Sequence, residues 1–427
     1  MPTHFTRKAF ASLTLLLSMC IVHAQDFQIG GDTSQSETSV PLEIHPSLGL
    51  FVVGYINGNG PYRFGLTMGH TALTVAVIKS LGLQTTEHGV LFDYTQNHTE
   101  QNLKLVPLTV RLGDDWTVPV DGASVIPEDN LASYVPVADY GGVLGSEFFR
   151  NAIVKLDLSH ARMGLLPVTN TFQVPSHPVE LPIEQSSVGK EFSLTTSTSM
   201  SLDDQAGNFN VTFSNSSIIF SEDSELGKKL FDKSNRRTKV RMWTPNGILH
   251  IENSVATLSD IGGREAKGQI AISRYTDQHE LPRHSKVLES PIDGSAGLRV
   301  LHIFDFVVDA PARKMWLTKR AIPACRPDTH SDFHGTTGFT VWQYQGKGIV
   351  HMVIDDSPAD IAGISPGDEI ISIDGSDVPT FYAHQDATCM TPAPVHLVYK
   401  HGSTQHDVTI TPDYVPPRAA SEAAISS

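Results

Sequence analysis

The chain has 427 residues, 40% hydrophobic and 18% charged, which suits a globular protein of about two or three domains and excludes a disordered one. The formal net charge is −15, and removing the first 24 residues, which hold Arg7 and Lys8 but no acid, takes it to −15 − 2 = −17. That sign argues against nucleic acid and anionic membrane surfaces as partners, since both require a basic face, although such a charge also simply keeps an exported protein soluble.

The N-terminus reads as a signal peptide over residues 1–24. Arg7 and Lys8 form its positive region, Ala9 to Val22 its apolar run, and Val22-His23-Ala24 a cleavage site with small residues at the required positions. The apolar run is shorter than the roughly 20 residues a permanent span needs. Met19 before Cys20 argues against a lipid anchor, which wants a small residue there. A mature chain starting near Gln25, periplasmic or secreted and without an integral membrane segment, is the expectation. It keeps two cysteines, Cys325 and Cys389. An oxidising compartment permits a disulfide between them, and two free buried thiols are the equal alternative.

Along the chain, few segments repeat at helical period. Runs such as Gly49 to Gly54 and Ile153 to Leu158 read as strands broken by Gly, Asn and Pro turns, and Asn57-Gly58-Asn59-Gly60 is a hairpin signal. Self-similarity then appears. Gly142-Val-Leu-Gly145, followed by Asp157 and Leu165, matches Gly294-Ser-Ala-Gly297, followed by Asp309 and Leu317, each counterpart lying 294 − 142 = 152 residues on. Two homologous lobes are expected, 25–170 and 171–322, with their seam in the stretch holding Pro167, Pro175, Pro178 and Pro182. A linker over 323–335, a further domain over 336–414 and a disordered Ala- and Ser-rich tail over 415–427 complete the expected organisation.

The further domain carries an ordered signature from Ser357 to Gly375. Ser357 suits a helix cap with Pro358 at the first position, and Gly363 suits the helix end. Pro366-Gly367-Asp368 suits a turn, and Glu369 to Ile373 a strand entering the Asp374-Gly375 turn. This stretch closely resembles the core signature of PDZ domains, and the resemblance extends over Gly338 to Pro412. It implies a β domain with two short helices that binds peptides or protein C-termini as an added strand. The implied carboxylate loop and receiving strand involve Gly338, Phe339, Thr340 and Val341, followed by Trp342; the groove helix falls near Phe381 to Cys389. The plainer alternative is that Gly338 and Phe339 only start a strand.

The two Gly-rich segments, Val143-Leu144-Gly145 above all, resemble the hydrophobic-hydrophobic-Gly element of pepsin-like and retropepsin-like aspartic proteases. Bacterial relatives join such lobes to a C-terminal PDZ domain. The resemblance implies a mainly β fold: a two-lobed, acid-protease-like β-barrel body followed by the PDZ domain. It also implies one Asp-Thr-Gly or Asp-Ser-Gly triplet per lobe, and here the sequence departs from the pattern. The first triplet position reads Thr67-Met68-Gly69, and no aspartate occurs between Asp32 and Asp93. In the second lobe the best match places Ser214 at the aspartate position. Such enzymes need two carboxylates sharing a proton, one as base and one as acid, and a hydroxyl cannot serve as the base.

Other chemistries find no support. His279-Glu280 with His284 has the wrong spacing and a proline inside for a zinc helix, and Gly294-Ser-Ala-Gly297 lacks the spacing of a nucleophile elbow. No cofactor or metal is expected. Three functions remain: a pseudoprotease that binds or scaffolds polypeptide, an active aspartyl endopeptidase using the PDZ domain to recruit substrate, and a purely structural platform for that domain.

Overall fold

The structure is a computed structural model. It describes residues 37–411 except 46–48, 94–97, 106, 121–122, 127–134, 136, 169–173, 175–176, 189–190, 214–217, 222–223, 235–236, 245–246, 277–291, 321–336, 345 and 379–393. The expected signal peptide, linker, groove helix and tail, together with Cys325 and Cys389, lie outside the described residues. No helix among the described residues is long and apolar enough to cross a membrane.

The fold is mainly β, with two lobes followed by a smaller C-terminal unit. The first lobe opens with β1 (Thr38–His45), β2 (Gly49–Ile56), β3 (Asn59–Leu66), β4 (Ala72–Thr74) and α1 (Val75–Leu81). It continues through β5 (Thr85–Asp93), β6 (His98–Leu105), β7 (Leu108–Leu112), β8 (Trp116–Val120) and β9 (Ser124–Ile126). It closes with β10 (Tyr140–Leu144), α2 (Ser146–Phe149), β11 (Ile153–Asp157) and β12 (Arg162–Leu166).

The second lobe repeats this order with three described strands in place of five between its first helix and the strand before its second. It holds β13 (Val179–Val188), β14 (Glu191–Leu202), β15 (Gln205–Val211), β16 (Ile218–Phe220) and α3 (Glu225–Lys233). Then come β17 (Thr238–Thr244), β18 (Gly247–Ile261), β19 (Arg264–Tyr275), β20 (Gly294–Ala296), α4 (Leu298–Leu301), β21 (Phe304–Asp309) and β22 (Lys314–Lys319). The C-terminal unit comprises β23 (Phe339–Tyr344), β24 (Lys347–Ile354), α5 (Pro358–Ile361), β25 (Glu369–Ile373), β26 (Val395–His401) and β27 (Thr404–Ile410).

Local chemistry explains many of these boundaries. Asn57 and Gly58 both take positive φ (47° and 81°) in the two-residue turn between β2 and β3, which matches the right-handed twist of the strands. Thr74 caps α1 by accepting from the Val77 N–H, and Ser224 caps α3 by accepting from Gly227. At α5, Ser357 caps, Pro358 leads and Gly363 follows with φ 83°, as expected.

The internal repeat is a pairing rule. β10 lies parallel to β3 and antiparallel to β4, and β20 lies parallel to β15 and antiparallel to β16. The lobes meet in one antiparallel sheet of order β1, β12, β11, β21, β22, β13. At its centre Val154 pairs with Val308, Lys155 with Val307 and Leu156 with Phe306. Adding 152 to 154 gives 306 and to 156 gives 308, so the register maps onto itself and a local two-fold axis passes between Lys155 and Val307. One apolar core runs through both lobes and includes Phe149, Phe213 and Phe306; the C-terminal unit has its own around Val341, Val350, Val353 and Tyr399.

The C-terminal unit is not merely tethered. Beyond its pairing with β23, strand β24 lays residues 352–354 antiparallel to 240–242 of β17. A small core of Val240, Met242, Ile251 and Ile354 fills the joint. Arg241 binds Asp355 (2.8 Å) and Asp360, and Trp243 meets Tyr344 edge-to-face at 5.0 Å. Strand β24 is thus shared between two units.

Candidate functional site

The loop after β3 carries Thr67. Its N–H donates to the Leu144 carbonyl (3.0 Å), and its Oγ1 accepts from the Gly69 N–H (3.1 Å). The equivalent acceptor in the second lobe, 144 + 152 = 296, is the Ala296 carbonyl, and the donor there is the N–H of Thr212 (3.0 Å). Thr212 therefore occupies the hydrogen-bonding position of Thr67. Ser214, the residue expected there, stands two places later and outside the described residues. The following loops differ in length. Ala72 faces Val143 as Ile219 faces Ser295, so five steps from Thr67 to Ala72 become seven from Thr212 to Ile219.

The residues after each threonine are apolar and buried, Met68 at 5% exposure and Phe213 at 2%. Phe213 lies 6.0 Å from the Phe149 ring of the first lobe and 5.6 Å from Phe306. The Met68 carbonyl accepts from Leu194 of β14 (3.0 Å). Met68 and Phe213 thus both pack into the apolar core that runs through the two lobes.

The carboxylate tied to the Thr67 loop is Glu147 on α2, 5% exposed. It accepts from the Thr71 N–H (2.6 Å) and approaches His70 Nδ1 (3.4 Å), while Thr71 Oγ1 accepts from the Gly145 N–H (2.9 Å). Burial alone would raise the Glu147 pKa, but the hydrogen bonds from His70 and Thr71 hold it below its ordinary value. A carboxylate kept ionised by fixed donors is a structural brace and a poor proton acceptor.

The C-terminal unit offers a different geometry. Gly338 has φ 81°, and a Cβ there would lie 2.2 Å from the Ser357 Cβ, so only glycine fits. The Thr337 carbonyl accepts from Ala359 (2.9 Å) and the Gly338 carbonyl from Ile354 (2.8 Å), fixing the loop. Among the described residues, the N–H groups of Thr337 and Gly338 donate to no acceptor. The adjoining β23 pairs with β24 on one side and with no described strand on the other. Fixed loop donors beside an open strand edge suit an extended segment bearing a terminal anion. Phe339 and Val341 face the core of the unit, and Thr340 and Trp342 face the other way. Gly338, Phe339, Thr340 and Val341 are thus brought together at one strand end.

Opposite this strand, β24 bulges. Thr340 pairs with Met352 and Val341 with Val350, which leaves His351 as the extra residue. His351 is 1% exposed, neither ring nitrogen has a hydrogen-bond partner among the described residues, and burial pushes its pKa down to about 3. Its neutral ring stacks on Trp342 at 3.9 Å. Sequence reading missed both this stack and the joint with β17, since neither leaves a local signal.

Residues 329–400 match the family model of the PDZ domain. No curated protein matches the chain. Among solved structures the chain is similar to that of an aspartic proteinase from Irpex lacteus, at 13% identity and a TM-score of 0.42, over 67% of this chain and 98% of that one. Among the described residues no cluster of His, Cys, Asp or Glu could hold a metal ion.

Proposed function

We propose that the chain is an exported pseudoprotease that binds polypeptide, its C-terminal domain capturing the free carboxy-terminus of a peptide or protein partner. The observation that carries this reading is the edge of β23 that pairs with no described strand, beside the fixed loop donors of Thr337 and Gly338, within a segment matching the PDZ family. The terminal carboxylate takes the loop N–H groups, the ligand backbone pairs with β23, and the terminal side chain packs toward Phe339 and Val341. Threonines at 67 and 212, with Met68 and Phe213 packed behind them, support a body that holds or presents polypeptide without cutting it.

Calorimetric titration of the full chain with matched peptide acids and amides tests the binding. Amidation should weaken it by roughly 1.5–3 kcal/mol, the scale of a charge-assisted hydrogen bond. Equal binding of both forms would remove the carboxylate from the reading. Pepstatin-sensitive cleavage of unfolded substrates by the purified chain would overturn the pseudoprotease and restore the endopeptidase.

A further inference from the structure

The strand that offers its edge also offers an aromatic face. Side chains alternate along β23, so Trp342 and Tyr344 share the face opposite Phe339 and Val341. Both are half-buried, and each is held from behind. Trp342 lies flat on His351, with ring centroids 3.9 Å apart and an interplanar angle of 16°. Tyr344 meets Trp243 at 5.0 Å and 68°, and Trp243 belongs to β17 of the second lobe. The row therefore crosses from one unit to the other on a continuous sheet of order β23, β24, β17, β18.

We infer that Trp342 and Tyr344 form an upstream specificity surface for the bound peptide, with Trp243 of the second lobe as a positioning residue for Tyr344. The inference rests on the strand-addition reading above. A ligand whose terminus meets Gly338 and pairs antiparallel to β23 backs away from Phe339 toward Tyr344. Its last side chain shares the face of Phe339, so residues at odd distances from the terminus turn to the other face. Counting along β23, the first before the last falls beside Thr340, the third beside Trp342 and the fifth beside Tyr344. Directly opposed side chains in an antiparallel pair stand about 4.5–5.5 Å apart at Cβ, and aromatic pairs are among the most favourable there. The preferred partner is an extended C-terminal segment with large apolar or aromatic side chains at those third and fifth positions. The neutral imidazole beneath Trp342 adds no charge to repel or select an ion. Recognition then extends past the PDZ segment onto the lobed body.

Fluorescence-polarisation titration of the full chain tests this, using labelled peptides of about ten residues that end in a free carboxylate. Peptides with Phe at the third and fifth positions before the last should bind about tenfold tighter than the same peptides with Ser there. Trp342→Ala should erase the preference at the third position. Trp243→Ala, with Trp243→Phe as a better-packed second variant, should erase or reduce it at the fifth position alone and leave acid-over-amide discrimination intact. Equal weakening of every peptide by Trp243→Ala would overturn the role of the second lobe. Equal binding of Phe and Ser peptides by the unmodified chain, with the acid still preferred over the amide, would overturn the specificity surface while sparing the carboxylate reading. Loss of the acid preference as well would overturn both.

Discussion

Where the two lobes join, they correspond residue for residue, and at the loops that follow β3 and β15 they part. The offset of 152 carries α2 onto α4, Asp157 onto Asp309, and even the turn hydrogen bond from His160 N–H to Asp157 onto that from Ala312 N–H to Asp309. Before the central loop the offset between β3 and β15 is 209 − 64 = 145, and after it, between β4 and β16, it is 219 − 72 = 147. Strands paired on both edges cannot absorb an insertion without breaking the register of their ladders, whereas a loop can. Side-chain chemistry diverges as well. Glu147 of α2 corresponds to Arg299 of α4, both nearly buried at 5% and 9% exposure, with opposite charges. The shared part of the lobes is therefore the backbone frame, while the side-chain chemistry built on it differs.

The largest effect should come from the shared frame. A Cβ on Gly142 would lie 2.1 Å from the Ala72 carbonyl oxygen, and one on Gly294 2.2 Å from that of Ile219. Both obstacles are backbone, so Gly142→Ala and Gly294→Ala should each cost more than about 4 kcal/mol, or prevent folding. Chemical denaturation checks this, and tolerance at only one site would break the equivalence of the two turns.

Next comes the divergent pair. Glu147→Gln should cost about 1.5–3 kcal/mol, because the Thr71 N–H loses an ionised acceptor. The folded-state pKa of Glu147 is depressed, so this contribution is fully present above the ordinary value of 4.5 and is lost as pH falls through the folded-state pKa. The stability gap between wild type and variant should close under acid. Arg299→Met should show no such closure, since a guanidinium stays charged throughout. Thermal melts across the acid range would separate the two.

The smallest effect concerns the hairpins. β17 of the second lobe is held by β24, whereas its counterpart β5 pairs among the described residues with β6 alone. Arg241→Ala removes a half-exposed clamp on Asp355 and Asp360 and should cost about 1 kcal/mol or less. Amide exchange should quicken at residues 352–354 and not in β5; unchanged exchange would show that apolar packing alone holds the joint.

Much of this frame is legible in the chain because its cause is local. Asn57-Gly58 and Asp374-Gly375 supply positive φ where a turn demands it, and Ser357-Pro358 supplies a cap and a first helical residue. The Gly142 and Gly294 motifs reveal the repeat because close backbone approach leaves room for no other residue. Thr212 is not legible locally, because the hydrogen bond that defines its position reaches across to Ala296, 84 residues on. A signal was present nonetheless: Phe64-x-Leu66-Thr67 and Phe209-x-Val211-Thr212 end their strands alike. The β17–β24 joint has no such trace, since any alternating strand could have filled that edge.

The interlobe sheet also sets an order on how the molecule is made. β1 finds its partner β12 only after most of the first lobe has been synthesised, β13 waits for β22, and β11 waits for β21. A chain emerging N-terminus first therefore carries several apolar strands whose neighbours do not yet exist. Contacts this distant along the sequence close slowly, and unpaired strands invite association with other chains in the interval. The two-fold symmetry that gives the finished molecule its central sheet obliges the nascent one to stay apart from its neighbours until residue 319 has joined it.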